Sequence, residues 1–502
     1  MTLHLDTTDH TTTASSHEAR PTSIYPVIPG FHPDPTICRV DGDYYVANSS
    51  FEYSPGIPIW HSRDLVSWTL IGNALTRDDQ FRAGSAPASR GVFAPTLRHH
   101  DGRFWLITTD VSDVPGQIVL TAEDPAGPWS AARRIEGLLG IDPDLAWDDD
   151  GTSYVTYCST DPAMPGIAQA SVDLETGEVL SGPRSLWSGT GMAFPEAPHL
   201  YRRGDWWYLV IAEGGTERGH SVSVARGSRP DGPFEGFRGN PILSHRSSDH
   251  PVQNTGHADL VELEDGRWAM VYLAVRPRGV TPLFHVNGRE TFVSEVVWAD
   301  DWPLVTDFRI GSVAAQTGFF DDFTSPMLHP RWVSPGAAPS DIVRRDSDGL
   351  TLVPAAASNG AVSGLMTRTH GDAWIAEASV DTSRGTGALL VRLDDRHSCE
   401  LRAEAGRVRV VARVGPLEGE LGSLPCGTVT PTLFVESAPG SFDGPDDLVF
   451  GIVDAGIRRE VARMDGRYLS TEVAGGFTGR VVGAHAIDGA FGLRSFRFTP
   501  AA

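Results

Sequence analysis

Five times in succession an alternating apolar run ends in a turn closed by Gly and is followed by an aromatic-rich strand. The turns are Asp41-Gly42, Asp101-Gly102, Asp150-Gly151, Arg203-Gly204 and Asp265-Gly266. The strands after them carry Tyr44-Tyr45-Val46, Phe104-Trp105-Leu106, Tyr154-Val155, Trp206-Trp207-Tyr208-Leu209 and Trp268-Ala269-Met270-Val271. Asp-Gly between alternating strands is a strong hairpin signal, because Gly accepts positive φ without steric cost. The five glycines recur every 49 to 62 residues, the size of a four-stranded unit with variable loops. Five such units predict an all-β chain beginning with a five-bladed β-propeller.

The acids sit at one place in this repeat. Asp34 lies 8 residues before Gly42, Asp142 lies 9 before Gly151, Glu196 lies 8 before Gly204 and His257 lies 9 before Gly266. The second unit has Val92-Phe93-Ala94-Pro95 there. Innermost strands of a propeller all start at one face of the central channel, so these positions converge on the axis. Three carboxylates and an imidazole are expected in one pocket. Asp34 stands between Pro33 and Pro35, and proline restricts both itself and its predecessor, so a stiff, extended backbone is expected at Asp34.

Composition narrows the class of ligand. The net charge is −23, from 41 basic and 64 acidic residues, with no Lys/Arg cluster. Nucleic acid is thereby disfavoured, since phosphate binding needs concentrated positive charge, and a small neutral ligand is expected. Cys38, Cys158, Cys399 and Cys426 show no Cys-x-x-Cys spacing, which favours free thiols in a reducing compartment. No run of eighteen apolar residues suggests a membrane span. The reading is a cytoplasmic protein with no membrane partner, with homo-oligomerisation left open.

Three segments follow. Residues 1–21, Thr- and His-rich, read as a disordered tail, and His4, His10 and His17 are too irregular in spacing for a metal site. Residues 22–318 hold the five units, with Val296-Val297-Trp298 as a candidate strand returning to the first blade to close the ring. Only Trp332 and Trp374 of the 13 tryptophans lie beyond residue 320. There the pattern becomes short alternating segments such as Trp374-Ile375-Ala376-Glu377-Ala378 and Leu448-Val449-Phe450-Gly451-Ile452, separated by Gly, Asp and Ser turns. Residues 319–502 are expected to form a concanavalin-like β-sandwich.

Opposed carboxyls in a pocket suit glycoside hydrolysis, one protonating the leaving oxygen while the other activates water. A lone Asp-Pro or Asp-Gly acid is more often a turn residue, but recurrence at one repeat position favours the functional reading. The ordered motifs Phe31-His32-Pro33-Asp34-Pro35, Phe51-Glu52-Tyr53-Ser54-Pro55-Gly56, Ile141-Asp142-Pro143-Asp144-Leu145, Pro195-Glu196-Ala197-Pro198, Glu213-Gly214-Gly215-Thr216, Gly256-His257-Ala258-Asp259 and Gly288-Arg289-Glu290-Thr291 resemble glycoside hydrolase family 43, the inverting β-xylosidases and α-L-arabinofuranosidases. The resemblance extends into the carboxy-terminal half, which opens on Phe319-Phe320-Asp321-Asp322-Phe323 like the β-xylosidase branch.

That resemblance implies Asp34 as general base, Glu196 as general acid and Asp142 as the carboxylate that tunes and orients the acid. Asp144 ranks second for the last role, because two residues along a strand it points to the same face and deeper. Arg289 resembles the family's substrate-contacting arginine, with an ion pair between blades as the alternative. His257 resembles the histidine of the pocket floor that contacts a water or an axial cation, against a buried structural histidine. Phe31 and Phe51 are candidate sugar platforms or core aromatics, and Phe477 lies in a stretch that approaches the active site. Phe93 stands where many relatives carry Trp, and Tyr53-Ser54 replaces a more aromatic pair, which leaves xylose and arabinose both open as the sugar. No cofactor is required, and a structural calcium is allowed for.

The activity implied is an inverting exo-hydrolysis of short xylooligosaccharides, with α-L-arabinofuranosidase action as the alternative. A non-catalytic carbohydrate-binding propeller would lack the acid or the base, and both are present. A retaining fructosidase of five blades needs a nucleophilic carboxylate closer to the acid.

Overall fold

The computed structural model describes residues 20–21, 24–112, 114–306, 310–313, 318–355, 362–440, 443–454 and 456–501. Most of the tail reading therefore lies outside the described residues. Its last two residues do not behave as a tail, because Arg20–Pro21 pair with Ser312–Val313 as a short ladder.

The described chain is predominantly β, with only short helices. Each predicted hairpin is present, and Gly151 takes the positive φ of 79° that its turn requires. The hairpins belong to five four-stranded antiparallel sheets, each a simple meander in chain order. Their first strands are Thr36–Val40, Val92–His100, Gly140–Trp147, Glu196–Arg203 and Gln253–Glu262. Each first strand touches that of the next sheet, and the fifth touches the first, so the sheets form a closed ring.

Strand alternation builds the ring. Both faces of a sheet are covered, so successive residues feed two different cores. In the second sheet Phe104 and Leu106 pack with Ile59 and Ala74 of the first, while Trp105 and Ile107 pack with Leu145 and Val155 of the third. Three further apolar clusters join the third sheet to the fourth, the fourth to the fifth, and the fifth to the first.

Ring closure differs from the sequence reading. Val296, Val297 and Trp298 stay in the fifth sheet, paired with Pro303, Leu304 and Val305. The ends meet instead through the backbone of Ile28 and Thr291 and the shared core of Val27, Ile37, Val46, Val261, Val271 and Val293. A four-strand meander already supplies every strand of the first sheet, so none is borrowed.

Beyond Phe319, an eight-stranded and a six-stranded sheet enclose one large core around Trp332, Trp374, Phe450, Phe491, Phe496 and Phe498. This second unit is seated against the ring. Ser334–Pro335 pair with Tyr53–Ser54, and Phe31, Phe51, Tyr53, Val333, Met366, Leu390 and Val481 make a mixed apolar cluster. Gly479 is pressed so closely on the ring that a Cβ there would lie 2.3 Å from the Asn287 carbonyl oxygen. Among the described residues no helix is long and apolar enough to cross a membrane.

Candidate active site

Four of the five first strands are irregular where they begin. Pairing slips between Val92 and Pro95, Ile141 and Asp144, Glu196 and His199, and at both ends of Gly256. A bulge bends a strand and re-aims a side chain that alternation would have turned into a core. At three of these irregularities a residue adopts left-handed backbone, with φ of 55° at Asp142, 51° at Ala197 and 48° at His257. Asp34 joins them at 52°, so the extended geometry expected between its prolines is not adopted. Its backbone instead follows the repeat, and a short polar side chain is among those that tolerate this region.

The result is a cavity of about 70 Å³ lined by Asp34, Phe51, Phe93, Ala94, Ile141, Asp142, Glu196, Thr216, His220, His257, Arg289 and Phe477. The three predicted acids, His257, Arg289, Phe51 and Phe477 therefore share one site. Phe31 does not line it. That side chain is fully buried behind Phe51, ring centroids 5.9 Å apart, and belongs to the core between ring and second unit. Tyr53 is likewise an interface residue, its hydroxyl 2.5 Å from Arg392. Phe93 and Phe477 complete the aromatic wall, Phe477 stacking on Phe51 at 5.9 Å and meeting Phe93 edge-on at 6.1 Å.

The carboxyls are held differently. Arg289 donates to Asp34 at 2.7 Å, and the Ser49 hydroxyl donates to its other oxygen at 2.5 Å. Burial works against this charge, but Arg289 leads the groups that hold the Asp34 pKa below its ordinary value. Burial pushes Glu196 up to about 7, with the Asp34 charge adding to the rise and Arg289 opposing it. Burial, then the charges of Glu196 and Asp34, push Asp142 well above the carboxylate range. The sequence reading made Asp142 the charge that lifts Glu196. In the structure burial leads, and Asp142 and Glu196 form a pair whose proton losses belong to both. Asp142 also accepts from the Ala197 N–H at 3.2 Å, fixing the backbone beside Glu196.

His257 sits 3.5 Å from Asp34. Burial drives its pKa down to about 3, so the imidazole is neutral at ordinary pH. His220, unremarked in the sequence, is also pushed down by burial, to about 4. Among the described residues no group of three or more His, Cys, Asp or Glu side chains is placed to hold a metal ion.

A buried polar layer lies beneath. Asp144 and Asp259 both pair with Arg98, at 2.7 and 2.8 Å. His199 lies 3.1 Å from Asp144, and the Thr36 hydroxyl donates to Asp259 at 2.7 Å. Asp144 thus takes the deeper position expected of it. The period-two spacing that linked Asp142 to Asp144 also links His257 to Asp259, and that signal would have found this layer.

A second, wider chamber of about 620 Å³ shares Glu196, Thr216 and Phe477 with the cavity. It is bounded by Phe194, Arg218 and Asn254 on the ring and by Thr471, Glu472 and Gly476 on the second unit. The small cavity and this wider vestibule therefore meet at Glu196, Thr216 and Phe477.

Comparison with known proteins agrees in the ring and across the whole chain. Residues 24–303 match the model of glycosyl hydrolases family 43. A xylosidase/arabinosidase of Butyrivibrio fibrisolvens is 44% identical over 295 residues, 56% of this chain and 56% of that protein. A non-reducing end alpha-L-arabinofuranosidase of Bacteroides ovatus is 42% identical over 292 residues, 57% of this chain and 54% of that protein. The matches thus span little more than half the length of these curated relatives. A solved Bacteroides ovatus structure, a family 43 protein ascribed to a xyloglucan PUL, superposes with a TM-score of 0.87 at 31% identity, covering 96% of this chain and all of that one. The family model covers over half of the sequence, and the chain belongs to glycosyl hydrolases family 43.

Proposed function

We propose that this chain is an inverting exo-glycosidase that removes xylose from the non-reducing end of short β-1,4-xylooligosaccharides. The observation that carries the reading is the contrast within one small cavity lined by both acids: Asp34 is paired with Arg289 at 2.7 Å, which favours its ionised form, while burial favours the protonated form of Glu196 up to about 7. Asp34 then takes a proton from water while Glu196 gives one to the departing oxygen, and the anomeric carbon inverts in one displacement. Water is the only co-substrate this requires. Phe51, Phe93 and Phe477 offer faces to the sugar, and the vestibule beyond Glu196 has room for the leaving group.

The five-sheet ring is read as a five-bladed propeller spanning 22–318 and the two-sheet unit as a sandwich spanning 319–502. Two local pairings support that division. Ser312–Val313 still pair within the ring, while Phe319–Asp321 pair with the last strand. α-L-Arabinofuranosidase action at the same cavity is a second reading, supported by the names of the two curated relatives. A cytoplasmic location suits an enzyme of imported oligosaccharides, and the four free cysteines agree with a reducing compartment.

Proton NMR of the first-formed sugar is expected to show the anomer opposite to that of the substrate, and initial release of the retained anomer would overturn the mechanism. Initial rates on aryl β-xyloside and aryl α-L-arabinofuranoside, compared side by side, decide the sugar.

Asp142→Asn is expected to leave the alkaline limb of kcat/KM within about half a unit of its wild-type position. Burial and the charge of Glu196 keep Asp142 protonated while Glu196 ionises at about 7, and the amide is equally uncharged. A limb moved to lower pH by about a full unit would instead make the Asp142 charge the group that lifts Glu196.

A further inference from the structure

Arg289 is lightly tethered for a group that controls a base. Its Nη1 donates to Asp34 at 2.7 Å and to the Thr216 hydroxyl at 3.2 Å. Its Nη2 donates to the Phe477 carbonyl at 3.3 Å, and its buried Nε has no hydrogen-bond partner among the described residues. One contact of the guanidinium that sets the charge state of Asp34 is therefore made by the backbone of the second unit.

Phe477 is unevenly anchored. After it, the Thr478 hydroxyl donates to the Leu393 carbonyl and Gly479 is pressed against Asn287. Before it, Gly475 and Gly476 both hold positive φ, 77° and 83°, a stretch with little stiffness of its own. The hold on that side is the Phe477 N–H, which donates to the Ser89 hydroxyl at 2.9 Å. Ser89 is held in turn, its N–H donating to Glu52 at 2.9 Å. Buried Glu52 pairs with buried Arg392 of the second unit at 3.3 Å. Gly476 makes the contact sterically feasible, because a Cβ there would lie 2.5 Å from the Ser89 hydroxyl oxygen.

We propose that Ser89 and Glu52 are positioning residues that act through the Phe477 backbone to keep Arg289 on Asp34. The chain of contacts runs Arg392, Glu52, Ser89, Phe477, Arg289, Asp34 and crosses between the two units at three points. The second unit thus contributes to the ionisation of the base as well as to the wall of the site. The inference rests on the reading of Asp34 as general base.

Ser89→Gly tests it with little risk to folding, since Ser89 itself has φ of 59° and glycine accepts that backbone freely. Loss of the hydroxyl frees the Phe477 N–H, loosens the carbonyl on Arg289 and raises the Asp34 pKa. The acid limb of kcat/KM is expected to move to higher pH by about half a unit to one unit, with a fall in kcat/KM at the optimum of about fivefold, the worth of one net hydrogen bond. Phe477→Ala keeps the N–H and carbonyl but removes a ring that faces the Arg289 guanidinium at 5.6 Å, so KM should rise while the acid limb moves less than in Ser89→Gly. An unmoved acid limb in Ser89→Gly, with an unchanged thermal midpoint, overturns the proposal. So does an equal shift of that limb in Phe477→Ala. Asp34→Asn separates the two levels: retained activity there overturns the base assignment and this inference together, whereas an inactive Asp34→Asn beside an unmoved Ser89→Gly limb overturns this inference alone.

Discussion

Asp34→Ala is expected to lower kcat/KM by about 10³-fold on every substrate, whatever the leaving group. In the proposed mechanism Asp34 acts on water, and water must be activated whether the departing oxygen is a phenol or a sugar. The loss has a second source in the charge left behind. Arg289 and Asp34 are both buried and 2.7 Å apart, so the alanine variant strands a guanidinium beside a neutral cavity. Asp34→Asn keeps the volume and a hydrogen-bond acceptor for Arg289 while removing the basicity, and it should be as inactive as alanine. Initial rates on an activated aryl xyloside and on xylobiose measure this. A variant that loses activity on only one of the two substrates would move the base elsewhere.

The ring was legible because its signal is local and repeated. A turn closed by Gly needs only its own residues to form, and five of them at near-regular spacing, four Asp-Gly and one Arg-Gly, require five hairpins whatever the loops do. The acids were legible for the same reason, since each lies at a nearly constant distance before its turn. What escaped was set by contacts distant in sequence. Phe31 and Phe51 look equivalent along the chain and join one cluster with Val333, Met366 and Val481, which arrive about 300 to 450 residues after Phe31, yet only Phe51 lines the cavity. Tyr53, one of the pair that left the sugar open, is an interface residue whose hydroxyl accepts from Arg392. Pro33 and Pro35 argued for an extended Asp34, but local proline preference yielded to the geometry that aims the other first strands at the axis. The layer of Arg98, Asp144, His199 and Asp259 had a readable alternation. Its partner arginine, on a strand without an acid, had none.

Glu196→Ala should divide substrates by their need for a proton. An aryl xyloside with a good leaving group departs as its anion, so it should lose about tenfold or less. Xylobiose, whose alkoxide is a poor leaving group, should lose about 10³-fold. The pH profile adds an independent reading. With Glu196 as the acid, wild-type activity is expected to fall as pH rises through its ionisation, which burial places at about 7. With no acid to lose, the variant's residual rate on the aryl substrate should run flat through that region and keep only the acid limb of Asp34. The sign follows from the two environments. As the proposed acid Glu196 is needed protonated, and its raised pKa preserves that form up to neutrality. Asp34 is needed ionised, and its lowered pKa preserves that form down into the acid range. Equal losses on both substrates would mean that Glu196 positions substrate without protonating it. A surviving alkaline limb would assign that titration to Asp142, the other carboxyl of the pair. The comparison is direct if, as proposed, the aryl group and the second xylose both depart into the vestibule that shares Glu196. A difference between them therefore reports the proton.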